Sequence, residues 1–437
     1  MNKIKKLYLY KFLRNIYYSL RSSKFNFFYN DENYFSIFYE KIICPFITKF
    51  FYYPYIPIEK ILIKKKKFFL FNISAGTGHV AKEFDAFYKY YHLRKKLKNR
   101  KIYWITKNHY LFKTVKKKYE IHFPELKIII NNFLYYLLLP IFMKNNVRLI
   151  YDAGFGLSLN IKYKNKAKTL NRGVIYAGNK FRSLSGFTRK QAYYSKCAHK
   201  LDSIFYQKTL ISSELKKIIN DKIDSSKKTV LIHLKEIETN QVAKLTDPVT
   251  YLLTLKYLSK KYNLIFVGRE SMPKIFEDYI DFNYSESNIA TFDNDIELFK
   301  FADFAIINGS GLALLSDKVK TPFLLINYWH LPFQYFSKLN LLCPSLMMTG
   351  KKYLSFKDMI RLRFQNIENN CQDFKKYQIR NLSESDIYEA FIELENKNLN
   401  QDFEFSDLQK KFNNLLIPSI ECAVSDKFLT KFEKYLF

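Results

Sequence analysis

Asp303-Phe-Ala-Ile-Ile-Asn-Gly-Ser-Gly-Leu312 does most to narrow the fold: a short apolar run, a loop of small residues, then a helical segment. Phe304 to Ile307 reads as a buried strand, and Asn308-Gly309-Ser310-Gly311 lets the backbone turn without Cβ clashes. Leu312 to Val319 reads as a helix whose first N–H groups and dipole face that loop. A phosphate fits such a place, although a plain strand-to-helix turn is written with the same letters.

The alternation recurs in two blocks. In the first, Phe68 to Ile73 is a strand, Ser74-Ala-Gly-Thr-Gly-His79 a turn and Val80 to about Leu97 an amphipathic helix. Lys101 to Thr106, Leu126 to Ile130 and Val147 to Tyr151 follow as strands, the last ending at Asp152-Ala-Gly-Phe-Gly156. This is the pattern of a parallel sheet covered by helices, with ligands at the carboxyl ends of its strands. The second block opens after the polar stretch Asn220 to Lys228, read as an inter-domain linker. Thr229 to Leu234 is a strand, and Asp247 as N-cap with Pro248 at the first helical position starts a helix to about Lys261. Asn263 to Val267, Tyr279 to Tyr284, Phe304 to Ile307 and Phe323 to Ile326 are further strands, and Asn294 to Phe301 is a short helix. From Ser383 the tail is helical, with a Ser383-Glu-Ser-Asp386 cap. The expected fold class is therefore α/β, with two Rossmann-like domains, a basic N-terminal extension and a helical C-terminal tail. The boundaries are residues 1–67, 68–222, 223–375 and 376–437.

At 437 residues, a prior of about 150 residues per domain favours two or three domains. With 48% hydrophobic residues and only 11 Gly and 11 Pro, the chain is globular and not disordered or fibrous. A net charge of +32 implies attraction to something anionic: lipid head groups, nucleotide-activated substrates or nucleic acid. Part of that Lys, Ile, Asn, Phe and Tyr excess fits a codon bias toward A and T. Met1 to Phe28 interleaves Lys3, Lys5, Lys6, Lys11, Arg14, Arg21 and Lys24 with apolar residues, as a segment on an anionic membrane surface does, or a basic helix packed on the protein. No run reaches the ~20 apolar residues of a membrane span; Phe133 to Met143, containing Pro140, reads as a buried or interfacial helix. Cys44, Cys197, Cys343, Cys371 and Cys422 are scattered, without C-x-x-C spacing, which argues against a disulfide framework or zinc site and fits a reducing cytoplasm.

Several stretches together resemble a largely uncharacterised family of bacterial glycosyltransferases. They are Ile232-His-Leu-Lys-Glu236, the helix with Tyr251, Val267-Gly-Arg-Glu270, Asp281-Phe-Asn-Tyr-Ser285, Asp293 to Leu298, Phe304 to Leu312, Pro322 to Asn327 and Lys351-Lys-Tyr-Leu-Ser-Phe356. The resemblance covers residues 229 to 360; in the first half it is confined mostly to Gly78-His79. It implies a GT-B architecture, two Rossmann-like domains facing a cleft. Lys235 stands where the family usually has Arg, and loses the planar fork for bidentate phosphate contacts. Arg269 is the candidate to supply that fork.

Transfer of a sugar from a nucleotide donor needs a cationic or N–H-rich site where charge accumulates on the departing diphosphate. Lys235, Arg269 and the loop Asn308, Gly309, Ser310, Gly311, with Leu312, fall at carboxyl ends of strands and can converge on one diphosphate without a metal or resident cofactor. His233 shapes this donor site or simply packs. Glu236 binds a hydroxyl or sits on the rim, and Asn327 completes the donor-binding set. His79 is the candidate base for the acceptor hydroxyl and Asp152 a second one. The expected partners are a nucleotide-sugar, a glycan or lipid-linked acceptor and an anionic membrane surface, with the enzyme at the cytoplasmic face. Transfer of another nucleotide-activated group, such as glycerol phosphate, is the enzymatic alternative. A basic nucleic-acid-binding protein is the non-enzymatic one, but no helix-turn-helix or RNA-binding motif supports it.

Overall fold

The computed structural model describes residues 68–71, 102–106, 108, 110–122, 126–143, 150–151, 158–159, 213–235, 246–328, 339–359, 377–399, 403–415 and 422–437, with Ile43, Ile47, Tyr53 and Pro57. The Met1 to Phe28 segment, the Ser74 to His79 turn, the Val80 to Leu97 helix and the Asp152 to Gly156 loop lie outside the described residues.

Strands β1 (Phe68–Phe71), β2 (Ile102–Thr106) and β3 (Leu126–Ile130) form a parallel sheet in that order. Helix α1 (Tyr110–His122) joins β2 to β3, burying Leu111, Phe112 and Thr114 while Lys113 and Lys117 stay exposed. Helix α2 (Asn132–Met143) follows β3 directly, its start fixed by Asn131, whose Oδ1 accepts from Leu134 N at 2.9 Å. Of the expected strand Val147 to Tyr151 only the last two residues are described. Ile150–Tyr151 (β4) forms a two-residue antiparallel ladder with Ser158–Leu159 (β5).

Asn220 to Lys228, expected as an inter-domain linker, comprises the end of α3 (Ser213–Lys222), a tight turn and the first residue of the next strand. Leu215 and Ile219 on α3 are buried in the main core, and the turn is held by Asn263. Beyond it lies a six-stranded sheet of β6 (Lys228–His233), β7 (Tyr262–Phe266), β8 (Phe282–Asn283), β9 (Phe304–Asn308), β10 (Phe323–Ile326) and β11 (Leu341–Cys343). The order across it is β11-β10-β9-β6-β7-β8, and every pairing is parallel. Strands β7, β9 and β10 are buried along their whole length, as uninterrupted apolar strands covered on both faces must be.

Helices connect these strands. A 3-10 turn at Pro248–Tyr251 runs into α4 (Leu252–Lys261), and Asp247 caps it by accepting from Val249 N at 3.0 Å. Helix α5 (Phe292–Phe301) is capped by Thr291 and carries Asp293 and Asp295 in its first turn, the favourable end for negative charge. Helix α6 is Gly311–Val319. Thr114 Oγ1 on α1 donates to Asp293 Oδ2 on α5 at 2.9 Å, linking the first block to the second.

The tail is part of this second core. Strand β12 (Leu346–Thr349) pairs antiparallel with β13 (Lys352–Tyr353) and with β14 (Gln378–Arg380), a strand the helical reading of the tail omitted. Helix α7 (Glu384–Leu399) starts at Ser383, whose Oγ accepts from Asp386 N while its own N–H donates to Asp386 Oδ2. After α8 (Asp407–Asn413), the segment before α9 (Asp426–Leu436) lies parallel beside β11: Leu342 N donates to Ala423 O at 2.8 Å and Ser425 N to Leu342 O at 2.7 Å. Glu393 of α7 closes the start of α9, accepting from Ser425 Oγ and Asp426 N. Among the described residues no helix is long and apolar enough to cross a membrane.

Candidate functional site

Strand order locates the site. From β6 the chain builds outward through β7 and β8, then returns to β9 on the other side of β6 and builds away through β10 and β11. The connections after β6 and β9 therefore lead to strands on opposite sides, which makes this the switch point of the sheet, where folds of this kind have a crevice outside the strands' carboxyl ends. His233, Leu234 and Lys235 leave β6 there, and Asn308, Gly309 and Ser310 leave β9.

Ser310 is the N-cap of α6, extended at φ −130°, and its Oγ accepts from Leu312 N at 3.2 Å. The first-turn amides of a nine-residue helix thus start at the crevice, carrying the positive end of its dipole. The turn needs less from its glycines than the sequence suggests. Among the described residues the glycines with positive φ are Gly268 and Gly350, not Gly309 or Gly311.

Lys235 is half-buried, and among the described residues no carboxylate pairs with its ammonium. Its carbonyl accepts a long bond, 3.4 Å, from Asn308 Nδ2, which lies equally far from Thr246 Oγ1. Asn327 adopts a left-handed backbone, φ 49°, and is engaged inward on every side. Its N–H donates to Cys343 O, its Nδ2 to Thr246 Oγ1 at 3.1 Å, and its Oδ1 accepts from Leu382 N at 2.9 Å. Thr246 is thereby tied to the ends of both β9 and β10. No sequence signal marked it, since its partners stand far along the chain.

His233, the last residue of β6, is 1% exposed. Its Nδ1 lies 3.0 Å from Val267 O and 4.0 Å from a Glu270 carboxylate oxygen. A carbonyl only accepts, so Nδ1 carries the hydrogen and Nε2 presents its lone pair. Burial holds the imidazole below its ordinary pKa, outweighing Glu270 and Val267 O, which favour the charged form. Tyr251 anchors the same residue from behind, donating to His233 O at 3.0 Å. Gly268, at φ 131°, is the glycine that matters: a Cβ there would sit 2.7 Å from His233 Nδ1.

Arg269 follows Gly268, but its guanidinium turns to the start of α5, where it donates to Ala290 O at 2.6 Å and to Asp295 Oδ2 at 3.3 Å. Burial raises Asp295 to about 6 despite Arg269 and a bond from Tyr284, which pull it down. Arg269 is thus a brace between β7 and α5 in this conformation. The structure brings Lys235, His233, the Asn308 to Gly311 loop and Leu312 to one edge, with Asn327 behind them. His79, Asp152 and Glu236 lie outside the described residues.

The chain matches no protein-family model and no curated protein sequence. Among solved structures it is similar to the iron-containing dodecameric glycosyltransferase TibC from enterotoxigenic E. coli, with 11% identity, a TM-score of 0.43 and 77% of each chain covered. It is similar also to the ADP-heptose lps heptosyltransferase II of E. coli, with 11% identity and a TM-score of 0.41 over 76% of this chain and 100% of that one. A family 9 glycosyl transferase from Veillonella parvula shares 10% identity at a TM-score of 0.38, over 75% of this chain and 97% of that one. At these identities and scores neither residue roles nor an activity transfer to this chain.

Proposed function

We propose that this chain is a glycosyltransferase of GT-B type that moves a sugar from a nucleotide-sugar to a glycan or lipid-linked acceptor. The observation that carries the reading is the switch point between β6 and β9, where the N-terminus of α6 and Lys235, which pairs with no carboxylate among the described residues, meet at one sheet edge. As the bond from the anomeric carbon to the diphosphate oxygen breaks, negative charge gathers on the diphosphate. Fixed N–H dipoles and a lysine ammonium stabilise that charge without reorganising. His79 or Asp152 takes the proton of the acceptor hydroxyl in this reading, and Glu236 holds a hydroxyl of the donor. No resident cofactor enters it. The basic N-terminal segment holds the enzyme against an anionic inner leaflet, at its cytoplasmic face.

Thermal unfolding of the full chain with UDP, GDP, ADP or CDP tests this. One nucleotide raises the wild-type Tm by several degrees, and Lys235→Ala loses most of that rise. A flat response to all four, beside salt-sensitive binding of duplex DNA, overturns the reading.

A further inference from the structure

One buried polar atom at this edge has no protein partner: His233 Nε2, among the described residues, has none within hydrogen-bonding distance. Such atoms are uncommon, since an unpaired buried group costs free energy that folding normally avoids. Three features hold the ring so that this nitrogen stays an acceptor. Val267 O takes the hydrogen of Nδ1, Gly268 leaves the space that a Cβ would fill, and Tyr251 pins the backbone of His233. The residue also closes the strand that flanks the switch point, two positions before Lys235.

We propose that His233 contacts the ligand directly, its Nε2 accepting a hydrogen bond from a hydroxyl or ring N–H of the bound nucleotide. This rests on the nucleotide reading above and adds the chemistry of one position within it. A phosphate oxygen has no hydrogen to give at neutral pH, and its lone pairs repel those of Nε2. The imidazole stays neutral because it is buried, so it offers phosphate no charge either. The edge is therefore divided. Lys235 and the amides of α6 take the anionic part of the nucleotide, while His233 takes a hydrogen-donating group on its nucleoside. A ligand with only acceptors at that place is disfavoured, because its lone pairs face that of Nε2, whereas a donor gains a bond there.

Calorimetric titration of the full chain separates these parts. The probes are inorganic pyrophosphate and whichever of UDP, GDP, ADP and CDP raises the Tm most, with its 2′-deoxy and 3′-deoxy forms. His233→Phe is expected to weaken the nucleoside diphosphate roughly tenfold and to leave pyrophosphate unchanged. His233→Gln, which places an amide near the position of Nε2, restores part of the loss. If a ribose hydroxyl is the donor, one deoxy form binds wild type as weakly as the parent binds His233→Phe. If it is a base N–H, both deoxy forms keep the full His233→Phe penalty. Equal weakening of pyrophosphate, or no weakening of either ligand, overturns the assignment and leaves the nucleotide reading standing. Wild type that binds pyrophosphate but no nucleoside diphosphate overturns both. Should His233→Phe fold poorly, nitrogen-15 histidine spectra of the wild type decide. They are expected to show one imidazole protonated at Nδ1 whose Nε2 resonance moves when the nucleotide is added. A resonance that stays put overturns the proposal.

Discussion

The two ends of the six-stranded sheet are built from similar residues and serve opposite ends. At the amino end, polar side chains close on one another. Asn263 accepts from Asp224 N at 2.9 Å and donates to Asp224 O and Lys227 O at 2.7 and 3.1 Å. Asp303 takes the Thr229 N–H, Asp281 the Leu264 N–H, and Asn340 bonds both Phe323 N and Asp317. At the carboxyl end, a buried imidazole nitrogen and a lysine ammonium find no such partners among the described residues. The asymmetry is a property of the architecture. Every strand-to-helix turn leaves helix amides at the carboxyl edge, so that edge is where a ligand gains most and where unfinished hydrogen bonding is tolerated.

Asn263→Ala is the hardest blow to the closed end. It strands two carbonyls and an N–H, and is expected to cost about 3 kcal/mol in urea unfolding. Nucleotide affinity should hold within about twofold; a larger change breaks the comparison, because the closed end would then be shaping the open one.

Asp295 gives the next effect, read against pH. An unfolded carboxyl loses its proton near 3.8, but the buried one keeps it to about 6. Between those values the folded chain binds the extra proton, so this contribution to stability falls as pH rises from 4 to 6. The fall is on the order of 2 to 3 kcal/mol. Asp295→Asn should abolish that slope, as denaturation at pH 4, 5 and 6 will reveal.

Gly268→Ala forces a methyl group toward the His233 ring and a side chain into φ 131°. A loss of about 2 kcal/mol is expected, together with weaker nucleotide binding, since the ring must move. Unaltered binding would mean that the ring position does not matter to the ligand. Ser310→Ala removes the α6 cap for about 1 kcal/mol, a Tm shift of a few degrees.

Much of this half was legible in the chain. Phe323–Ile326 is a strand with the expected bounds, and Asp247 and Ser383 start their segments as caps, because those signals are local. What escaped depends on distant partners. Nothing in Arg269 itself announces that Ala290 O, just before α5, and Asp295, on α5, engage its guanidinium. Leu341–Cys343 is too short for a periodic pattern, and its outer neighbour, Val424, comes much later in the sequence. The Gly-rich letters after β9 drew attention to a turn with no positive φ at its glycines, while the conformation only glycine adopts easily fell at Gly268.

The strap beside β11 has a consequence for synthesis. The ribosome delivers β11 well before Ala423, Val424 and Ser425, the segment whose backbone covers its outer edge. Until those residues clear the exit tunnel, the nascent chain holds a nearly finished parallel sheet with one strand edge bare, the surface on which neighbouring chains add. Chains released early, upstream of Ala423, keep that edge permanently, so premature termination should yield aggregates and not merely a less stable protein.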